Sequence, residues 1–241
     1  TDHLYHLDHQ PLPGQSEVIG SIWETIGEHD VLMSAAGSQP GDLHKLWRAR
    51  TPNSYHMEYG YSCMGYEIPA SLGVKMADPE REVYVWVGDG TYLMNPTEIL
   101  TVVQEGLKVT IIVVDNSGFG SIGGLSASLG SAGFGTRFRQ RDPQTGQLSG
   151  APLVVDFAAN AASLGAQVFT PGSVAEFKSV LEHTKSLDHT SVIVIKTDRE
   201  TRVPGYESWW DVAVAEVSTM PAVQAAREEY ETHRKDEKYF L

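Results

Sequence analysis

Two stretches carry the reading of this chain: "EVYVWVGDGT" at residues 82–91 and "KVTIIVVDNSGFG" at residues 108–120. Each is a run of β-branched, aromatic and other apolar residues that closes on an acid or amide beside glycine. The second run is apolar almost throughout, which predicts a strand covered on both faces, as in a parallel sheet. Asp89 and Asn116 close the two runs and lie 27 residues apart. That is room for one loop, one helix and one strand, so the chain returns to the same edge of the sheet. Adjacent parallel strands then set a carboxylate beside an amide oxygen. Both are hard oxygen ligands, suited to magnesium or calcium rather than zinc. The flanking glycines let the backbone approach an anion closely. A metal beside exposed N–H groups makes a diphosphate site.

Working outward, "SEVIGSIWETI" (16–26) predicts a helix with Ser16 as N-cap, and "DVLMSAA" (30–36) a buried strand that ends in the loop "GSQPGD". Residues 65–77 predict a helix. A further helix is expected over 95–106, with Asn95 at the N-cap, Pro96 first and Glu98 at the third position. A glycine-rich segment (117–135) and the polar loop "RFRQRDPQTGQLSGA" follow. Then come a helix at 156–165, the strand "AQVFT", a helix at 174–186 and a last strand, "TSVIVIKT" (190–197). Strands alternating with helices predict a three-layer α/β/α domain with a mostly parallel sheet over 16–200. Residues 1–15 are expected to be an arm or linker, and 201–241 an arm and charged helix packed on the same domain. In such sheets ligands sit beyond the C-terminal strand ends, which selects loops 37–42, 88–95 and 116–135.

The chain has 241 residues, 41% of them hydrophobic, enough for one full core. A net charge of −13 argues against nucleic-acid or anionic-membrane partners, which need clustered Lys and Arg. With Cys63 as the single cysteine there is no disulfide framework. No run has the length of a membrane span and the N-terminus has no signal-peptide core, so a cytoplasmic protein is expected. The chain does not start with Met, and it is expected to begin partway through something larger. Gly118–Gly123 matches the dinucleotide pattern GxGxxG, but no acid closes a following strand about 20 residues on. That reading is set aside.

"GDGTYLMNPTEILTVVQEGLKVTIIVVDN" (88–116) resembles the signature of thiamine-diphosphate-dependent enzymes, a GDG followed some two dozen residues later by Asn-Asn, here Asp115-Asn116. The resemblance implies the family's cofactor-binding fold, with Asp89, Asn116 and the Gly118 carbonyl holding Mg²⁺. It implies cofactor contacts from Gly88, Gly90, Thr91, Gly118, Phe119, Gly120 and Ile122. "AAGSQPGDLHKLW" (35–47) resembles the first diphosphate loop, with Gly37, Ser38 and Gln39 as contacts. "YSCMGYEIPASLGVKMA" (61–77) resembles the segment that cradles the aminopyrimidine. There Ser62, Cys63 and Met64 would lie along the ring, and Met64 would hold the cofactor bent. The family usually has glycine where Ser62 stands.

A finer resemblance, in "YHMEYGYSCMGYEI" and "GSIGGLSASLGSAGFGTRFR", is to the branch that opens a cyclic polyol-dione with water in inositol catabolism, giving 5-deoxy-glucuronate. It implies C–C bond hydrolysis by an assembled enzyme. The cofactor-activating glutamate of the family lies on a separate pyrimidine-binding domain or subunit, so this chain is expected to need that partner, in a homo- or hetero-oligomer. Two alternatives stand beside it: an acetolactate-synthase-like carboligase or 2-oxo acid decarboxylase, and a non-catalytic cofactor-domain fragment. No catalytic residue is assigned outright within the chain. His56 and Glu58 are candidates for touching substrate or relaying protons. His3, His6 and His9 are read as solvated, Arg137, Arg139 and Arg141 as facing water or a lid. Cys63 is read as a packing residue, and Trp209-Trp210 as a subunit contact or core.

Overall fold

The two quoted runs are the central strands, β3 (Val83–Gly88) and β4 (Thr110–Asp115), and every residue of both except Asp115 is buried. The structure is a computed structural model that describes residues 2–206, 209 and 211–238. These fall into two compact units, Thr1–Phe119 with Val154–Val203 and Gly120–Leu153 with Pro204–Leu241.

The first unit is built on an all-parallel six-stranded sheet of order β2-β1-β3-β4-β6-β5. Its other strands are β1 (Val31–Ser34), β2 (Tyr55–Met57), β5 (Gln167–Phe169) and β6 (Ser191–Lys196). On one face, Val18, Ile19 and Ile22 of α1 (Gln15–Thr25) and Phe177 and Leu181 of α8 (Val174–Thr184) pack on Tyr84, Trp86, Ile112, Val114 and Ile193. Strand alternation turns Val85, Val87, Ile111 and Val113 to the opposite face, and they too are buried. The helices α3 (Glu67–Ala77) and α5 (Glu98–Gln104) pack on each other, α3 against β3, and α7 (Phe157–Ser163) lies against β5 and β6. This is the three-layer α/β/α fold that the strand–helix alternation predicts. From β1 the chain runs outward to β2 and then crosses to β3 on the other side. The order therefore reverses between β1 and β3, the crevice where such sheets bind ligands.

Several local expectations are corrected. α1 starts at Gln15 after Gly14, not after Ser16. The Glu17 carboxylate accepts the N–H groups of Gly14 at 2.7 Å and His9 at 3.3 Å, half of a capping box that needs no side chain at the N-cap. Within 1–15, Asp2–Tyr5 form a 3₁₀ turn, and Tyr5 is buried with its hydroxyl donating to the Leu46 carbonyl at 2.7 Å. α5 starts at Glu98, because Pro96 and Thr97 first make a turn in which Ile99 N–H bonds the Pro96 carbonyl at 3.1 Å. Asn95 is thus not the N-cap, and Glu98 stands first rather than third. The expected loop "GSQPGD" is helical from Ser38 onward, as the start of α2 (Ser38–Leu46). Its Pro40 sits in the first turn, where an N–H has no helical partner to lose.

In the second unit, α6 (Gly120–Ser128) occupies part of the segment expected to be a glycine-rich loop. Its glycines hid it, since each is a poor helix former. The polar segment 137–151 forms part of a hairpin, with Gln140 N–H to the Ala151 carbonyl and Leu153 N–H to the Phe138 carbonyl, each at 2.9 Å. The C-terminal helix α9 (Pro221–Lys235) opens on proline and closes on His233, Arg234 and Lys235, the order that suits the helix dipole. Val214, Val223 and Tyr230 form a small core with Leu129 and Ala226. Trp209 stacks on His233, whereas Trp210 lies outside the described residues. Among the described residues no helix is long and apolar enough to cross a membrane.

Candidate functional site

Three loops of the first unit converge beyond the C-terminal ends of β1, β3 and β4. Their contacts follow from what glycine leaves open. A Cβ on Gly37 or on Gly88 would come within 2.7 Å of the Gln39 side-chain amide, so Gln39 lies across both loops. A Cβ on Gly90 would stand 2.6 Å from the Phe119 ring. Thr91 is buried, with its hydroxyl 3.8 Å from where a Gly37 Cβ would be. Gly37 has φ +99°, and Ser38 directly after it begins α2, whose first N–H groups have no helical partner. Gly37, Ser38, Gln39, Gly88, Gly90, Thr91 and Phe119 are therefore brought together as the loop readings expect. Gly120 and Ile122 belong to the second unit, on α6, where Ile122 is exposed.

At the centre is Asp89, the first residue of the short helix α4 (Asp89–Tyr92), with almost no exposed surface. Its Oδ1 accepts the Gly90 N–H at 2.6 Å. Its Oδ2 accepts the N–H groups of Asn116 at 3.1 Å and Gly118 at 3.0 Å. The backbone turns through φ +60° at Ser117 and +149° at Gly118 to bring both groups to one oxygen. Burial pushes the Asp89 carboxyl up to about 7, against the opposing pull of the three N–H donors. The side-chain Oδ1 of Asn116 is buried without a hydrogen-bond partner among the described residues. Such an oxygen costs about 1–3 kcal/mol unless something fills the gap. A hard cation fits both features, since it would pair the amide oxygen and favour the ionised carboxylate. Among the described residues no group of three or more His, Cys, Asp or Glu is placed to hold a metal, so a softer, cluster-type site has no candidate there.

Residues not singled out in the sequence complete the frame. The Arg199 guanidinium donates to the carbonyls of Asn116 and Ser117, at 3.5 and 3.4 Å, and so braces the same turn. Gln39 Nε2 donates to Gln15 Oε1 at 3.2 Å, and Gln15 Nε2 donates to Asp42 Oδ2 at 2.6 Å. Burial raises the Asp42 carboxyl to about 6, although Lys45, 3.9 Å away, and Gln15 both oppose it. These pairings join residues far apart in sequence, so no local pattern marks them.

The loop 58–66 is shaped by two carboxylates. Glu58 accepts the N–H groups of Tyr61 and Cys63, both at 2.8 Å, and these bonds hold it below the usual carboxylate range. Its carboxylate therefore shapes the backbone of this loop. Ser62 takes φ +51°, the left-handed region that favours glycine and explains why glycine is usual there. Cys63 is exposed rather than packed, which corrects the packing reading, and Met64 is also exposed. His56 on β2 meets the Tyr66 hydroxyl at 2.9 Å and stacks on that ring. Glu67, fully buried, accepts the N–H groups of Ala36 at 3.0 Å and Gly65 at 3.2 Å.

The other candidates have local partners. His6 pairs with Glu24 at 3.2 Å, and His9 bonds the Leu12 carbonyl and the Thr201 hydroxyl, each at 2.8 Å, so His9 is a bracing residue rather than a solvated one. In the second unit Arg139 and Arg141 are exposed, as the water-facing reading expects, and donate to the carbonyls of Ser149 and Gly146 within the hairpin.

Comparison with known proteins places this arrangement. Residues 35–195 match the family model of the thiamine pyrophosphate enzyme C-terminal TPP binding domain. Over 214 residues, 89% of this chain, it is 47% identical to 3D-(3,5/4)-trihydroxycyclohexane-1,2-dione hydrolase 2 of Bacillus cereus. It is 46% identical over the same length to the protein named 3D-(3,5/4)-trihydroxycyclohexane-1,2-dione hydrolase of Bacillus anthracis. The match covers 33% of each relative, so the chain spans about a third of their length. With the matched span covering all three converging loops, the chain belongs to the thiamine pyrophosphate enzymes, as their C-terminal TPP-binding domain.

Proposed function

We propose that this chain is the diphosphate- and Mg²⁺-binding part of a thiamine-diphosphate-dependent hydrolase that opens 3D-(3,5/4)-trihydroxycyclohexane-1,2-dione in inositol catabolism. The observation that carries the cofactor reading is the pair formed by buried Asp89 and the unpartnered Oδ1 of Asn116. The names of the similar Bacillus proteins support the substrate.

In this reading Asp89, Asn116 and the Gly118 carbonyl would hold the metal, and the N–H groups around Gly37 and Ser38 would donate to diphosphate oxygens. The backbone of Ser62 and Met64 would hold the aminopyrimidine, and the exposed Met64 side chain would support the cofactor. Thiamine diphosphate, once bound, supplies a nucleophilic carbon and an electron sink. The chain's own work is binding and orientation. Asp89 supplies charge to the metal while its Oδ2 fixes the turn at 116–118. Glu58 and Glu67 hold the pyrimidine loop. Activation of the cofactor falls to a glutamate on a pyrimidine-binding domain or subunit, the partner this reading requires.

The test compares substrates in the assembled enzyme, with Mg²⁺ and thiamine diphosphate supplied. Turnover of the cyclic dione with pyruvate inert is the expected result. Pyruvate turnover with an inert dione would replace this reading by a carboligase or decarboxylase, which uses the same cofactor frame.

A further inference from the structure

Glu67 is the first residue of α3, carries no exposed surface, and has backbone N–H groups as its hydrogen-bond partners. Burial raises its carboxyl, while backbone N–H groups from both loops act in the opposite direction. A buried carboxylate is costly to keep unless its oxygens are well matched. Here the matches come from two separate loops. Oε1 accepts from Ala36, which precedes Gly37 in the loop after β1, and Oε2 accepts from Gly65, which follows Met64. Gly65 in turn has φ +90° and sits so close to the segment after α4 that a Cβ would stand 3.1 Å from Asn95 Cβ. One side chain therefore spans the loop read as holding the diphosphate and the loop read as holding the ring.

We propose that Glu67 is a positioning residue that sets the spacing between the diphosphate loop at 35–38 and the aminopyrimidine loop at 62–65. It touches neither end of the cofactor. It acts through the backbone of Ala36 and Gly65, so that a ligand reaching both loops finds them already at the required distance. The proposal rests on the cofactor reading above.

A ligand that uses both loops should feel the loss of Glu67, and a ligand that uses one should not. The probes are thiamine diphosphate and inorganic pyrophosphate, each titrated calorimetrically with Mg²⁺ into the purified protein in its native assembly. In Glu67→Gln the amide NH₂ must face one of the two N–H donors, so one loop is released. The expected result is a rise of roughly tenfold or more in the thiamine diphosphate Kd, the scale on which supporting residues act. The pyrophosphate Kd should move less than about threefold, since a single loop keeps its own N–H groups. Glu67→Asp, too short to reach both loops, should show the same split, and it carries the test if the Gln variant does not fold. Parallel weakening of both probes, or no change in either, would overturn the proposal. If the unsubstituted protein bound neither probe, the cofactor reading itself would fall, an outcome plainly distinct from equal binding by wild type and variants.

Discussion

The Asp89 carboxylate accepts the backbone N–H of Asn116 at 3.1 Å, so the ends of β3 and β4 are tied together by the side chain read as the metal ligand. In the proposed reading Asp89 has two duties, holding the turn and offering charge. Asn116 has one, since its side-chain oxygen bonds nothing among the described residues. Substitution should separate them.

Replacing Asn116 with Ala removes an unpaired buried oxygen. The unloaded protein should be as stable as wild type or more so, by up to about 1–3 kcal/mol. Thiamine diphosphate affinity in Mg²⁺ should nevertheless fall about 10–100-fold. Calorimetric titration beside thermal unfolding reads both, and undiminished affinity would remove Asn116 from the ligand set.

Asp89→Ala should differ in kind. The N–H groups of Gly90, Asn116 and Gly118 all lose their acceptor, so the unloaded protein itself should be destabilised, by about 1–3 kcal/mol or more. A urea melt of the metal-free protein checks this. A variant as stable as wild type would show that the turn at 116–118 does not depend on Asp89.

Asp42 predicts a pH dependence. Its folded carboxyl lies near 6, above the ordinary 3.8, so the folded state favours the protonated form. Its stabilising contribution is full below about 4 and is lost as pH rises through about 6. Asp42→Asn keeps an acceptor for Gln15 and does not ionise. The stability of the variant relative to wild type should therefore rise between pH 4 and pH 7.5, by about 1–3 kcal/mol. Urea unfolding of both proteins at the two pH values measures this, and curves that stay parallel would rule it out.

Gly90→Ala tests the convergence of loops. The new methyl meets the Phe119 ring at 2.6 Å, so either the ring or α4 must shift. A cost of about 1–3 kcal/mol in thermal or urea unfolding is expected, as for other overpacked positions. Gly106, where nothing stands within 4 Å but φ is +65°, separates crowding from backbone strain in the same assay. A Gly90→Ala variant as stable as wild type would mean that Phe119 is not an obstacle.

How much of this was legible in the sequence depended on distance along the chain. β3, β4 and β6 were plain because a strand buried on both faces is an unbroken apolar run, and their ends fixed where Asp89 and Asn116 must lie. β2 is three residues long and only half-buried, so Tyr55–Met57 has no periodicity to read. α2 and α6 were hidden by Pro40, Gly41, Gly120, Gly123 and Gly124, since local propensity argues against helix where tertiary packing can impose one. Glu67 reaches Ala36 across 31 residues, and Gln39 reaches Gln15 across 24. Such pairings exist only after the sheet has set β1 beside β3.

Gly88 stands opposite Val114 in the register that brings Asp89 against Asn116. The turn is thus fastened to the two innermost strands rather than hung from the surface. Its Asn116 and Gly118 amides should exchange with deuterium as slowly as the sheet interior, unlike those of ordinary loops. Cofactor binding is then expected to proceed without a folding step, and a heat-capacity change on binding no larger than the ligand's own buried surface requires would check this.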